Sequence, residues 1–210
     1  MLLIALSSLG ACTGTPSGPI DLEKSRYARP AHSADHDPWG TLAVRFVRDT
    51  RPGWELGFHN YLRESYYSDE LFELPVAVTI KRLILVESQR SRVFLPEQER
   101  TRSKYLLDLT LNHFFIRTDR NLLDLIPILP TALIDAVIDF EVRLVDQDGR
   151  LFLSKRYNSA AEDRAKQFES LPNDGVEQLL QILSALMGEL IADMDRSVSD
   201  FWAELGMPVQ

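Results

Sequence analysis

Between residues 176 and 198 the apolar residues fall on one side of a helix. Val176, Leu179, Leu180, Leu183, Met187, Leu190, Ile191, Met194 and Val198 recur at spacings of three and four, the period that lines one face of an α-helix. Asn173 or Asp174 is placed to cap the start, with Glu177 at the capping-box position relative to Asp174. Gly206 and Pro208 end the helix near Leu205. A stripe this long has to be buried. It can cover a sheet of its own chain or bind a partner, and covering a sheet is the commoner use.

The preceding residues supply that sheet. Thr41 to Arg48 alternates as a strand with Leu42, Val44 and Phe46 on one face, and Asp49-Thr-Arg-Pro-Gly53 ends it with turn chemistry. Trp54 to Asp69 is irregular and aromatic-rich. Pro75 to Gln89 reads as a helix, with Pro at the first position and Val76, Ile80, Leu83, Ile84 and Glu87 at helical spacing. Its β-branched residues leave a strand over Val76 to Ile80 open as an alternative. Arg92 to Leu95 is a short strand. Tyr105 to Ile116 is a longer one, with Tyr105, Leu107, Leu109, Leu111 and Phe115 on one face and Asp108, Thr110 and Asn112 on the other. Val137 to Val145 alternates in the same way, Asp148-Gly149 signals a hairpin, and Leu151 to Tyr157 returns. This order predicts an α+β fold. It is an antiparallel sheet of about four to five strands, covered on one face by two helices, the C-terminal one long and amphipathic.

The N-terminal end has a different character. Leu2 to Ala11 is apolar, and Leu9-Gly10-Ala11-Cys12 closes it with the chain's one cysteine. These residues resemble the lipobox of bacterial lipoproteins. The resemblance implies cleavage before Cys12, acylation of that residue and a membrane partner reached through it. A signal also needs a cationic start, and no Lys or Arg precedes Cys12. The expectation is that the true start lies upstream. The competing reading is an apolar N-terminus packed on the body, with Cys12 a simple thiol. Residues 13–38 are polar and carry Pro16, Pro19, Pro30 and Pro38, which reads as a flexible tether. The expected organisation is a signal peptide over 1–11, a tether over 12–38 and one α+β domain over 39–210. Thr13 stands where an Asp would favour inner-membrane retention in enterobacterial lipoproteins. The resemblance therefore implies an outer-membrane, periplasm-facing location.

The chain has a formal net charge of -8 and an isoelectric point near 5.0. That argues against nucleic acid as a partner, because phosphate neutralisation needs clustered Lys and Arg. Arg90, Arg92, Arg100, Arg102 and Lys104 form one basic cluster, offset by Glu97 and Glu99. Enzyme signatures are sparse. Gly-x-Ser-x-Gly and phosphate-binding Gly loops are absent, and the sole Cys is assigned to lipid. His32-x-x-x-His36, with Asp35 and Asp37, has metal-clamp spacing only if helical, and Pro30 and Pro38 flank it. His113 falls on the apolar face of its strand, where a hydrogen-bonded core role is commoner than catalysis. His59 has no carboxylate beside it in sequence. Asp108, Asp139 and Glu141 lie on the wet faces of strands, where two could meet across the sheet. No cofactor, no metal and no catalytic residue is expected.

Asn121 to Asp135 is an apolar connection between strands, with Leu122, Leu123, Leu125, Ile126, Ile128, Leu129, Leu133 and Ile134. Loops are normally polar. Pro127, Pro130 and Asp124 rule out a membrane span. The segment is either a helical turn packed on the core or an exposed patch. In the second case Leu125, Ile126, Ile128 and Leu129 are the candidate partner or lipid contact. The lipobox, the early strand running into Asp49-x-Arg51-Pro52, the Asp-Gly hairpin and the C-terminal amphipathic helix together resemble the YajG-type and ABC-transport auxiliary lipoproteins. The likeness covers most of residues 41–205, and the 121–135 insert and the longer aromatic segment over 54–72 depart from it. It implies a non-enzymatic accessory subunit with an envelope protein partner. The alternatives are a lipid carrier with an internal cavity, and a structural or regulatory factor of envelope assembly.

Overall fold

The computed structural model describes residues 20, 27–56, 59–60, 64–97, 99–120, 131–166 and 171–206. In chain order these form β1 (Thr41–Asp49), β2 (His59–Asn60), β3 (Glu64–Tyr67), α1 (Val76–Arg90), β4 (Leu95–Pro96), β5 (Tyr105–Arg120), β6 (Thr131–Asp146), β7 (Leu151–Lys166) and α2 (Leu171–Glu204). All seven strands belong to one sheet. β5 is its centre. One side of β5 pairs with β6, which pairs in turn with β7, both antiparallel. The other side pairs first with β1, parallel, and then with β3, antiparallel. β4 extends β1 in parallel, and β2 extends β3 antiparallel.

The sheet is therefore mixed, which corrects the purely antiparallel expectation. The reason is the connection. The chain runs from β1 through β2, β3 and α1 before it reaches β4 and β5, and a crossover is what parallel neighbours require. The two-residue strands β2 and β4 raise the strand number because they are too short to show a period-two pattern.

Two bulges reassign faces. Register shifts between Val44 and Phe46, so Phe46 turns away from Leu42 and Val44 and is 56% exposed. It shifts again between Leu111 and His113. Beyond that point Phe114 and Ile116 are buried, while His113 and Phe115 move to the opposite face with Asp139 and Val137. Both Phe115 and His113 thus leave the apolar face on which simple alternation placed them. A single inserted residue reverses every later position.

The main core lies between the helices and the sheet, and Ala43, Leu106 and Val145 form a second, small cluster. Val76, Ile80, Leu83 and Ile84 of α1 and Leu179, Leu183, Met187, Leu190, Ile191 and Met194 of α2 pack with Leu107, Leu109, Leu111, Ile138, Phe140 and Val142. α2 is long and apolar enough to cross a membrane, but its stripe is buried in this cluster. The helix begins at Leu171, so Asn173 and Asp174 lie inside its first turn rather than at the cap. Pro172 loses nothing there, since first-turn N–H groups have no helical partner. Thr131 to Asp135, expected within the apolar connection, instead begin β6, and Ile134 is fully buried. Ile134 is in phase with Ala136 and Ile138, which explains the placement.

Gly175 sits where α2 crosses β5 and β6. A Cβ there would come within 2.6 Å of Ile116 Cγ2 and 3.1 Å of Ile134 Cγ2. Gly175→Val is expected to cost about 2 kcal/mol or more by overpacking. Urea unfolding would show it as a lower midpoint at unchanged slope.

Residues 27–38 differ from the tether expected over 12–38. Tyr27 and Ala34 are buried. Ala34 N donates to Ser91 O at 2.9 Å, Trp39 N donates to Val93 O at 3.0 Å, and Ser184 Oγ of α2 donates to Ala28 O. Pro30 lies beside Gly188. Prolines pre-set an extended backbone and lower its ordering cost, so this stretch is a strap. Ile20 N also reaches Leu71 O, at 2.6 Å. The other residues of 12–38, Cys12 included, lie outside the described residues.

Candidate functional site

The turn after β1 builds a buried charge node. The Arg51 side chain is fully buried. Its Nε and Nη2 donate to the two oxygens of Asp49 at 2.9 and 2.7 Å, a bidentate fork. Nη2 also donates to Asp69 Oδ1 at 2.9 Å, and Nη1 to Ser68 Oγ at 2.6 Å. Ser68 Oγ in turn donates to Phe114 O at 2.6 Å. Asp69 Oδ1 further accepts from Val76 N at the start of α1, at 3.2 Å. The Asp49-x-Arg51-Pro52 sequence thus joins β1, β5 and α1. Burial alone would push Asp49 up, but the Arg51 fork outweighs it and holds the carboxyl below its ordinary value. Burial likewise works against Arg51, and the two carboxylates raise it overall.

A second pair grows from this node. Glu55, also fully buried, lies 2.7 Å from His113 Nδ1 and accepts from Phe114 N at 3.3 Å. Burial pushes its carboxyl above the ordinary range, against the pull of His113. His113 is 42% exposed and stands beside Phe115, at 6.5 Å between ring centroids. Trp54, Tyr66 and Phe115 meet edge-on or tilted at 5.0 to 5.9 Å. Trp54 remains 37% exposed. Arg117, next in line, pairs with Asp135. The result is an aromatic patch, with a carboxylate-oriented imidazole at its margin, on a rigid base of charged hydrogen bonds.

The strand carboxylates are otherwise engaged. Arg45 forks onto Asp108 at 2.9 and 2.6 Å. Arg156 Nε donates to Asp139 at 2.9 Å, and Asn112 bridges Asp139 and Glu141 at 3.4 and 3.3 Å. Asp139 and Glu141 do come together, but as partners of Arg156. The Arg156 hydrogen bond holds Asp139 below its ordinary value, opposite to the upward shift a catalytic acid needs. In the basic cluster Arg102 pairs with Glu99, one of the two offsetting acids, and Arg90 with Glu87 of α1.

His32 and His36 do converge, on a carboxylate. His32 Nε2 lies 3.0 Å from Asp195 Oδ2 and His36 Nε2 2.8 Å from Oδ1, and Trp39 Nε1 donates to Oδ1 at 2.7 Å. Among the described residues no group of three His, Cys, Asp or Glu side chains is arranged to hold a metal. Spacing in the sequence showed the two histidines but not Asp195, which is 159 residues beyond His36. The Glu55–His113 pair was equally hidden, since 58 residues separate its members. Leu125, Ile126, Ile128 and Leu129, like Cys12, lie outside the described residues. The segment they belong to links the end of β5 to the start of β6. His59 falls in β2.

No family model matches the chain, and no curated protein matches it. Among solved structures, protein XCC0632 from Xanthomonas campestris, described with family model DUF330, aligns over 82% of this chain and 96% of its own. The identity is 12% and the TM-score 0.51, which shows a shared fold. A putative lipoprotein from Caulobacter crescentus aligns over 73% and 90%, at 10% identity and TM-score 0.39. Rare lipoprotein B from Shewanella oneidensis aligns over 79% and 98%, at 10% identity and TM-score 0.32. These last two alignments are too loose to carry an argument.

Proposed function

We propose that this chain is a lipid-anchored bacterial envelope protein working as a non-enzymatic binding subunit. The observation that carries the anchor is Leu9-Gly10-Ala11-Cys12, with the chain's one cysteine at its end. Acylation at Cys12 would fix the domain to a membrane outside the cytoplasm, with the outer membrane favoured by Thr13. Stable anchoring needs more than one acyl chain, which the lipobox resemblance supplies.

The binding role is supported by how the ionisable groups are used. Asp108 and Asp139 are engaged in forks that hold strands together, and Asp49 and Arg51 in one that closes the turn after β1. The exposed Trp54 stands over this framework, with the half-buried Tyr66 and Phe115 beside it. Aromatic groups on a rigid base are the usual anchors of protein interfaces. The partner class is an envelope protein, and the resemblance to auxiliary lipoproteins favours one of a transport assembly. A lipid carrier is less well supported, because the large side chains Phe94, Phe114, Phe140, Tyr105 and Tyr157 are packed in the core.

Two measurements test the reading. Intact-mass analysis of the membrane fraction is expected to find a chain starting at Cys12 with added acyl mass. An unmodified soluble chain would sink the anchor. Trp54→Ala with Phe115→Ala is expected to abolish cross-linking to the partner while the domain stays folded. Unchanged cross-linking would move the contact elsewhere, with Leu125, Ile126, Ile128 and Leu129 next to test.

A further inference from the structure

We propose that the sheet face opposite the helices receives an acidic surface of the partner protein, with Arg48 and Arg143 as the cations that meet it. This rests on the reading of Trp54 and Phe115 as partner anchors, and it adds the partner's chemistry. Leu107, Leu109, Leu111, Ile138, Phe140 and Val142 pack with the helices. The alternate positions, Asp108, Thr110, Glu141 and Arg143, therefore face the other way. Two rows cross that face. Phe46, Asp108, Arg143 and Ser154 lie side by side on β1, β5, β6 and β7, and Arg48, Thr110, Glu141 and Arg156 form the next row. The aromatic patch continues from them, because the bulge after Leu111 brings His113 and Phe115 onto the same face.

Charge selects the occupant. The chain has a formal net charge of -8, yet what this face presents is cationic. In each of its ion pairs the guanidinium is the outer partner. Arg156 is 53% exposed over an Asp139 that is 8% exposed, Arg117 is 37% exposed over Asp135 at 16%, and Arg45 lies over Asp108 in the same sense. Arg48 and Arg143 are exposed and form no ion pair with another described residue. Phe46, 56% exposed with the Arg45 guanidinium 5.1 Å from its ring centre, supplies an apolar contact between the cations. A carboxylate is the group that two free guanidiniums fit, since each can take it as a fork. No lysine stands among the described side chains of this face. Arg and aromatic residues without Lys are the composition of protein interfaces, whereas attraction to anionic lipid uses Lys and Arg alike.

The test uses the full chain in the membranes of its host, with the photo-crosslinking residue p-benzoylphenylalanine in place of Phe46. The expected adduct joins position 46 to a stretch of a different protein in which Asp and Glu outnumber Lys and Arg. Raising NaCl from about 50 to about 500 mM before illumination is expected to cut its yield about tenfold. Arg48→Glu with Arg143→Glu should do the same, at an unchanged melting temperature of the purified domain, because both side chains are exposed. Arg48→Gln with Arg143→Gln sets no like charge against Asp108 and should lower the yield severalfold. An adduct to lipid, to a second copy of this chain or to a stretch without acidic excess would overturn the proposal, and so would no adduct or one indifferent to salt and to both variants. The same crosslinker at Trp54 separates the two readings. Adducts from position 54 and none from position 46 would leave the aromatic anchors standing and sink the acidic contact. An adduct from position 46 that survives Trp54→Ala with Phe115→Ala would do the reverse.

Discussion

Replacing Arg51 by Met is expected to lower stability by about 3–5 kcal/mol, the usual cost of removing one partner from a buried ion pair. The guanidinium is fully buried and holds Asp49, Asp69 and Ser68 at once. Met fills much of its volume, so the loss comes from the acceptors left behind. For a chain of this size that corresponds to a fall in Tm of about 6–20 °C. Arg51→Lys keeps the charge but cannot reproduce the fork, so it should recover part of the loss, not all of it. The pH dependence gives a second reading. Asp49 is held below its ordinary value, so its pairing stabilises the fold above about pH 4 and is lost as pH falls through its lower folded pKa. Arg51→Met should flatten that acid limb. A loss under 1 kcal/mol with the acid limb intact would mean that the node is incidental to the fold.

This node shows where sequence reading reached its limit. Asp49-x-Arg51-Pro52 stood out as a turn motif, yet its partners Asp69, Ser68 and the Phe114 carbonyl come from other elements. Periodicity succeeded where burial is one-sided and regular. The stripe of α2, the Val76–Glu87 face of α1 and the alternation of Ile138, Phe140, Val142 and Leu144 all pack as their spacing predicts. It failed after Val44 and Leu111, because a bulge adds one residue without any compositional mark. The failure matters for function. The second bulge is what carries His113 and Phe115 off the core face, into reach of Glu55 and Trp54. The parallel pairing of β1 with β5 was hidden for a different reason. Strand direction is set by whether the connection crosses over or turns back, and strand periodicity is the same in both cases.

The strap reads as a tether in the sequence because proline has two effects. In a polar segment it signals disorder, but in an extended segment with apolar neighbours it lowers the entropy cost of docking. Tyr27, Ala34 and Trp39 supply those neighbours, and Asp195 supplies a lock. The lock makes a testable prediction of its own.

Raising the pH from 5.5 to 8.5 is expected to weaken the strap's attachment to α2. His36 Nδ1 donates to Asp37 O at 2.7 Å, and Nε2 faces Asp195. Both ring nitrogens therefore point at acceptors, which suits the doubly protonated imidazolium. Burial disfavours that form, but the Asp37 carbonyl and the Asp195 and Asp35 carboxylates outweigh it and raise the pKa. Asp195 is faced by His32, His36 and Trp39 of the strap together, and the carboxylates that raise His36 are Asp195 and Asp35. A His raised above its unfolded value contributes stability that is fully present below about pH 6.5 and is lost as pH climbs through the folded pKa. Removing the carboxylate charge should remove that slope. Asp195→Asn is expected to cost about 2 kcal/mol at pH 5.5, the scale of one charge-assisted hydrogen bond, and much less at pH 8.5. Hydrogen exchange at Ala34 and Trp39, whose amides bond Ser91 and Val93, would read the strap directly. Protection in the wild type should fall as pH rises, after correction for intrinsic exchange, and be low and flat in the variant. Equal protection in both chains across the range would mean that apolar contact alone holds the strap, and that the two histidines only accompany it.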